Sequence, residues 1–237
     1  MTRSARLPRA LGGAAAVALV LAACAPSEKE SGEPSTPAAA RQEPGAAVAP
    51  TAAADSSPRG RADQARIRGD STAPVWLVMV SDFQCPYCKL WHDSTFAALD
   101  REYVRSGKVR MAYLNYPLPS HKHAWPAAQA AMCAGAQGKF WEMHDLIFET
   151  QREWTPLESS EAFFEGLAAR AGADPAALRR CTRSGALRPL IQADMDRSAA
   201  SGISSTPTFI VGDSVIEGAH PVERFRAVLD AALKGAN

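Results

Sequence analysis

An unbroken apolar run, VWLVMV (Val75 to Val80), ends five residues before a pair of cysteines, Cys85 and Cys88, that enclose a Pro-Tyr dipeptide. No other feature limits the possible folds so tightly. Six apolar residues with β-branched members read as a strand buried on both faces, the kind found inside a parallel or mixed sheet. Pro86 suits the first turn of a helix, where a missing N–H costs nothing. Leu90, Trp91, Phe96, Leu99 and Tyr103 then recur at roughly helical spacing, and Gly107 ends the element. The segment VRMAYLNY (Val109 to Tyr116) reads as the next strand. Strand, helix, strand, with a dithiol at the first junction, is a βαβ unit that carries its thiols at a helix N-terminus.

A long helical region follows. His123 to Ala136, Lys139 to Glu149, Ser160 to Ala171 and Leu187 to Ala200 read as helices, and Asp174-Pro175 opens another with an N-cap and an N1 proline. The pattern then returns to strands, TPTFIVG (Thr206 to Gly212) and SVIEG (Ser214 to Gly218), and closes on a helix from Pro221 through Phe225, Val228, Leu229 and Leu233. The sum is an α/β chain: a thioredoxin fold with an inserted helical subdomain at about 120–203, in a domain spanning 67–237.

The stretch before that domain concerns address. Arg3, Arg6 and Arg9 precede a short apolar run ending Leu21-Ala22-Ala23-Cys24. The run is shorter than the roughly 17–25 residues a membrane-spanning helix needs, so residues 1–23 read as a cleaved export signal. The LAAC ending looks like a bacterial lipobox, which makes Cys24 the lipidation site; an ordinary secretory signal with an incidental cysteine is the alternative. Ala25 replaces the aspartate of inner-membrane retention, which leans toward the outer membrane, facing the periplasm. Residues 24–66 are rich in Pro, Ala, Ser, Gly and Glu, too poor in large apolar groups to offset ordering, and are expected to form a disordered tether.

With Cys24 set aside, four cysteines allow three pairings. Cys85 and Cys88 are near enough to pair with each other, which leaves Cys133 with Cys181 for a structural link. Two buried free thiols are the alternative to that link. The net charge of +1, without a basic cluster interleaved with aromatics, argues against a nucleic-acid partner.

DFQCPYC, AAMCAGAQGKFWEMHDLIF, TPTFIVG and their spacing resemble the DsbA-like thiol:disulfide oxidoreductases of bacterial envelopes, over nearly everything from Ile67 to the C-terminus. The resemblance implies that Cys85 is the nucleophile and Cys88 the resolving thiol, with a redox-active disulfide and no cofactor. It implies that Pro207 is a cis-proline facing the dithiol and that Thr206 offers backbone hydrogen bonds to an extended substrate. Pro86 and Tyr87 would modulate the pair and shape the surface that substrates meet. Cys133–Cys181 would match a second disulfide seen in some members. Partners would be cysteine-containing exported proteins and a redox partner that resets the dithiol. Many relatives place a buried acid six residues before the first cysteine; here that position is Met79. The isomerases' dimerisation domain has no counterpart, which points to a monomer.

A helix N-terminus favours the Cys85 thiolate through unpaired N–H groups and the helix dipole, which lowers its pKa below the free value of roughly 8.5. The direction of exchange stays open between dithiol oxidase, which the insertion favours, and reductase. A different class of reading has Cys85, Cys88 and His92 holding copper in a delivery module. His121 and His123 read as a loop and helix-start pair, since two histidines at i, i+2 share no helix face. His144 and His220 have no converging partners in the sequence. Trp125, Trp141 and Trp154 read as core or groove, and Arg179, Arg180, Arg183, Arg188 and Arg197 as solvated helix faces.

Overall fold

The computed structural model describes residues 55–236. The expected signal (1–23), Cys24 and the tether as far as residue 54 lie outside the described residues. The tether boundary at residue 66 needs correction. Pro58–Ala65 forms helix α1, with Pro58 in its first turn and Ser57 Oγ accepting from Gly60 N at 3.1 Å. Its small residues let it pack closely: Gly60 and Ala62 are buried. A search for large apolar groups misses a helix that docks through glycine and alanine.

Strands β1 (Ile67–Arg68), β2 (Val75–Ser81), β3 (Val109–Asn115), β4 (Thr208–Val211) and β5 (Ser214–Glu217) form one mixed sheet in the order β1-β3-β2-β4-β5. β2 and β3 run parallel, with Leu77 opposite Met111 and Met79 opposite Tyr113. β4 lies antiparallel on the other side of β2, with Phe209 opposite Met79, and pairs antiparallel with β5. Both faces of the central strands are covered, so their sequences are nearly continuous apolar runs rather than alternations. Leu77, Met79, Met111 and Tyr113 face the larger core; Val78, Val80 and Leu114 face a smaller one with Ile203.

The helix after the dithiol is less regular than its sequence predicts. α2 (Pro86–Trp91) passes into a π-helical turn (His92–Phe96), three α-helical residues (α3, Ala97–Leu99) and a second π-helical turn (Asp100–Val104). The wide turns have a cause in the sequence. Trp91 and Phe96 are five apart, one more than an α-helical face allows, and both are buried. Ser94 Oγ donates to Leu90 O at 2.7 Å, a side-chain bond that further loosens the ladder there.

Between β3 and β4 come α4 (Ala124–Gly135), α5 (Phe140–Glu149), α6 (Gln151–Trp154), α7 (Glu161–Arg170), α8 (Pro175–Ser184) and α9 (Arg188–Ala200). α8 begins as its sequence requires, with Asp174 Oδ1 accepting from Ala176 N at 2.9 Å, and ends at Gly185 in the left-handed region, φ 66°. Cys133 in α4 is bonded to Cys181 in α8, their Cα atoms 5.8 Å apart. The closing helix α10 (Val222–Gly235) buries Phe225 and Leu229; the Phe225 ring lies 4.8 Å from Phe209, itself 4.5 Å from Trp91.

A buried polar node fastens α1 and α9 to the end of β3. The Arg66 guanidinium, wholly buried, donates to Asp194, to Asp63 and, at 3.3 Å, to Tyr113 O. Asp194 also accepts from Asn115 N and Nδ2, both at 3.0 Å, and from Arg197 at 2.8 Å. Arg197 is therefore not simply a solvated helix face, as expected, but part of this node.

Candidate active site

Asp82 follows β2 and makes the turn that presents the dithiol. Its Oδ1 accepts from Gln84 N at 2.7 Å and its carbonyl from Cys85 N at 3.1 Å, a self-closing turn of the kind aspartate favours. Cys85 then occupies the N-cap position of α2, extended at φ −65° and ψ 124°, with no side-chain capping bond. Gln151 of α6 holds the turn from the insertion side, its Nε2 donating to Phe83 O at 2.7 Å and Cys85 O at 3.1 Å. The thiol that the sequence places at a helix start is thus fixed by its own local turn and by one element remote in sequence.

Cys85 and Cys88 are both free thiols, 3% and 1% exposed. Their environments divide them. The Cys88 thiol donating to Cys85 Sγ is the largest influence on Cys85; burial opposes it, and the Thr206 hydroxyl and the Cys88 and Tyr87 amides add to it, lowering Cys85 to about 6. Burial pushes Cys88 well above the ordinary thiol range, and its hydrogen bond to Cys85 and the Cys85 charge push it further. One thiol is poised to carry charge and the other to hold a proton. With the dithiol reduced, iodoacetamide should therefore alkylate Cys85 alone, half-maximally near pH 6 by mass spectrometry. Equal modification of both thiols, or a midpoint near 8.5, would contradict the asymmetry.

The facing wall is Ser205 to Thr208. The Thr206–Pro207 peptide is cis. The Cys85 thiol donates to Thr206 O at 3.4 Å, and Pro207 O accepts from Gly218 N at 2.7 Å, which ties the turn to the end of β5. Thr206 Oγ1 is buried and has no hydrogen-bond partner of normal geometry, so its hydroxyl can turn to the Cys85 sulfur. Beside the thiol, Tyr87 (64%) and Leu90 (52%) stand exposed one helical turn apart on α2.

Met79 is buried among apolar groups, paired across the sheet with Tyr113 and Phe209. The titratable pair behind the dithiol is instead Asp82 and His121, which sequence reasoning did not join. The Asp82 side chain is fully buried; its Oδ2 accepts from Leu118 N at 2.9 Å and lies 2.7 Å from His121 Nδ1. That hydrogen bond raises the His121 pKa against partial burial, and the Cys85 charge adds to it. The signal for this pairing was the carboxylate itself, since a buried Asp at the end of a strand needs a partner.

The other histidines sort differently from expectation in one case. His123 stands at the N-cap position of α4, as expected of a helix-start residue, but its side chain makes no capping bond and instead bonds Leu157 O at 2.7 Å and Ser160 Oγ at 3.0 Å. His92 turns to Asp93 and Asp145, at 3.2 and 3.4 Å, so it does not join Cys85 and Cys88 in a copper set. His144, expected to lack converging partners, has them: its Nδ1 lies 2.8 Å from Asp145 Oδ1, and its ring 5.4 Å from that of His92.

A family model described as Thioredoxin matches residues 61–231. Among curated proteins, the Na(+)/H(+) antiporter NhaA 1 of Salinispora arenicola is 35% identical over 176 residues, which cover 73% of this chain and 25% of the antiporter. The chain thus spans about a quarter of the length of the antiporters it matches. Disulfide bond formation protein D of Bacillus subtilis is 24% identical over 179 residues, 71% of this chain and 77% of that protein. The crystal structure of oxidised BdbD from Bacillus subtilis superposes with a TM-score of 0.66 at 24% identity, over 72% of this chain and 93% of that one. Alpha-DsbA1 of Wolbachia pipientis gives 0.65 at 21% identity, over 72% and 92%.

Proposed function

The chain belongs to the thioredoxin family, and from that premise we propose that it is a thiol:disulfide oxidoreductase acting on cysteines of exported proteins, as a dithiol oxidase. The observation that carries this reading is the division of the two thiols, Cys85 lowered to about 6 and Cys88 raised. A substrate thiolate attacks Cys85 Sγ of the enzyme disulfide and forms a mixed disulfide; Cys88 leaves with the electron pair and, given its raised pKa, takes up a proton. A second substrate thiolate attacks the substrate sulfur of the mixed disulfide, and Cys85 leaves as a stable thiolate. The substrate loses two electrons, the enzyme gains them, and a redox partner must remove them. A low leaving-group pKa speeds that last step, which favours donation of disulfides over reduction.

Pro86 withholds an amide donor and Tyr87 shapes the rim, while Thr206 and Pro207 form the wall along which an extended substrate lies. We place the enzyme as a monomer in a bacterial envelope, held by lipid on Cys24 and facing the periplasm, with an outer-membrane position. Among the described residues no helix is long and apolar enough to cross a membrane.

The test is equilibration of residues 55–237, a fragment that keeps α1, with glutathione buffers, alongside oxidation of a reduced, unfolded protein. The potential should lie above the roughly −220 to −260 mV of a glutathione pool, and the oxidation should be catalytic. A potential near thioredoxin's, about −270 mV, would make it a reductase, and failure of the pair to cycle would end the redox reading.

A further inference from the structure

Where α2 passes into the π-helical turn that begins at His92, the chain assembles a second cluster that the redox chemistry does not use. His92 Nε2 lies 3.4 Å from Asp145 Oδ1, His144 Nδ1 lies 2.8 Å from the same oxygen, and the three ligand atoms sit within 4.8 Å of one another. We propose that His92, His144 and Asp145 form a binding site for one divalent transition cation of the zinc type.

Three observations carry the proposal. The first is distance: tetrahedral bonds of about 2.0–2.2 Å set ligand atoms roughly 3.4 Å apart, so this cluster needs only side-chain adjustments to close on an ion. The second is the orientation of His92. Its other nitrogen, Nδ1, lies 3.2 Å from Asp93 Oδ1, and Asp93 is held by Lys89 at 2.8 Å. A carboxylate on the far nitrogen fixes the tautomer and aims the lone pair of Nε2 at the cluster. The third is His144. Its Nε2 is buried without a hydrogen-bond partner, and Phe83, Tyr113 and Phe148 stand nearly perpendicular to its ring. A neutral imidazole has one N–H. On Nδ1 it bonds Asp145 and leaves Nε2 a buried, bare acceptor; on Nε2 it meets aromatic rings and leaves Nδ1 facing a carboxylate oxygen, acceptor against acceptor. A cation on Nδ1, with the proton on Nε2, removes that conflict.

The site is reachable. His92 and Asp145 line an open cleft of about 580 Å³, and Glu149, one turn beyond Asp145, lines it too and can supply an oxygen as fourth ligand. Arg68 and Arg105 on the same cleft are paired with Asp100 at 2.8 and 2.7 Å. Two imidazoles with one carboxylate suit zinc, and copper or nickel in the same geometry, better than calcium or magnesium. A bound ion would pin the helix that carries the dithiol to α5 of the insertion.

The test uses the full chain with Cys85–Cys88 oxidised and every other free thiol alkylated, so that no thiolate competes. Calorimetric titration with zinc chloride should give one ion per chain and a rise in Tm. His92→Ala and Asp145→Asn, both at partly exposed positions, should each weaken binding by at least about tenfold. If either fails to fold, Asp93→Asn, which leaves all three ligands in place, should weaken binding severalfold. Cobalt(II) should give the visible bands of a tetrahedral site without a sulfur charge-transfer band. Absence of binding in the parent chain, or equal binding by the variants, would overturn the proposal.

Discussion

Cys85→Ser should reduce disulfide exchange to the uncatalysed rate, whereas Cys88→Ala, with Cys85 first capped as a mixed disulfide with glutathione, should release glutathione to the thiolate of a single-cysteine substrate and hold that substrate as a one-to-one mixed disulfide that accumulates. The two variants differ because the two sulfurs do. In the proposed assignment substrate meets Cys85, at the N-cap of α2 near the exposed Tyr87 and Leu90, because its thiolate is the favoured one of the two. Cys88 can act only on a disulfide already formed at Cys85. Non-reducing electrophoresis and mass spectrometry separate the outcomes, and a Cys85→Ser variant that still traps substrate through Cys88 would reverse the assignment. The size of the effect behind oxidation follows from the lowered pKa. A thiol taken from 9.0 to about 6 stabilises the folded, reduced protein at pH 7 by on the order of 1 kcal/mol, which is a few tens of millivolts of added oxidising power. The sign follows from the depressed folded-state pKa. The contribution is complete above the unfolded value and is lost as pH falls through about 6. Reduction of the pair takes up one proton between those limits and two below, so the potential should change by about 30 mV per pH unit above 6 and about 59 mV below. A single slope across pH 5–8 would mean that Cys85 is not the perturbed group.

The parts of this arrangement legible in the sequence are those that local chemistry dictates. VWLVMV and VRMAYLNY are continuous apolar runs because β2 and β3 are covered on both faces, and Pro86 marks the start of α2 because only a first helical turn tolerates it. What could not be read depends on contacts remote in sequence. Gln151 reaches the carbonyls of Phe83 and Cys85 from α6, and His121 meets Asp82 across 39 residues. Neither has a local signature, since a glutamine or histidine in a helical or loop pattern reads as surface. The convergence of His92 with His144 is hidden in the same way, since it joins the helix after the dithiol to α5. The end of the tether was misread because α1 packs through Gly60 and Ala62, and an apolar count weighs such residues lightly.

Asp194→Leu should be the most destabilising single change outside the dithiol, about 3–5 kcal/mol by urea unfolding at unchanged m-value. The side chain is fully buried and accepts from three residues at once: Arg66, Asn115 through both its backbone and side-chain amides, and Arg197. Removing it leaves the Arg66 guanidinium in a site without solvent, with only Asp63 and the Tyr113 carbonyl for partners. It also strips the Asn115 amides, in a residue whose Oδ1 already lacks a hydrogen bond. Arg66→Met should cost less, because Asp194 keeps Asn115 and Arg197. The double variant should cost well under the sum of the two, since neither partner then leaves an uncompensated charge. Strict additivity would mean that the two residues do not act as a pair. The same variants separate stability from chemistry. The node joins α1, β3 and α9, while the dithiol turn is held by α6 and by Asp82, so the Cys85 alkylation midpoint near pH 6 should stay where it is in whatever fraction remains folded. A shift in that midpoint would mean that the node also sets the geometry of the thiols.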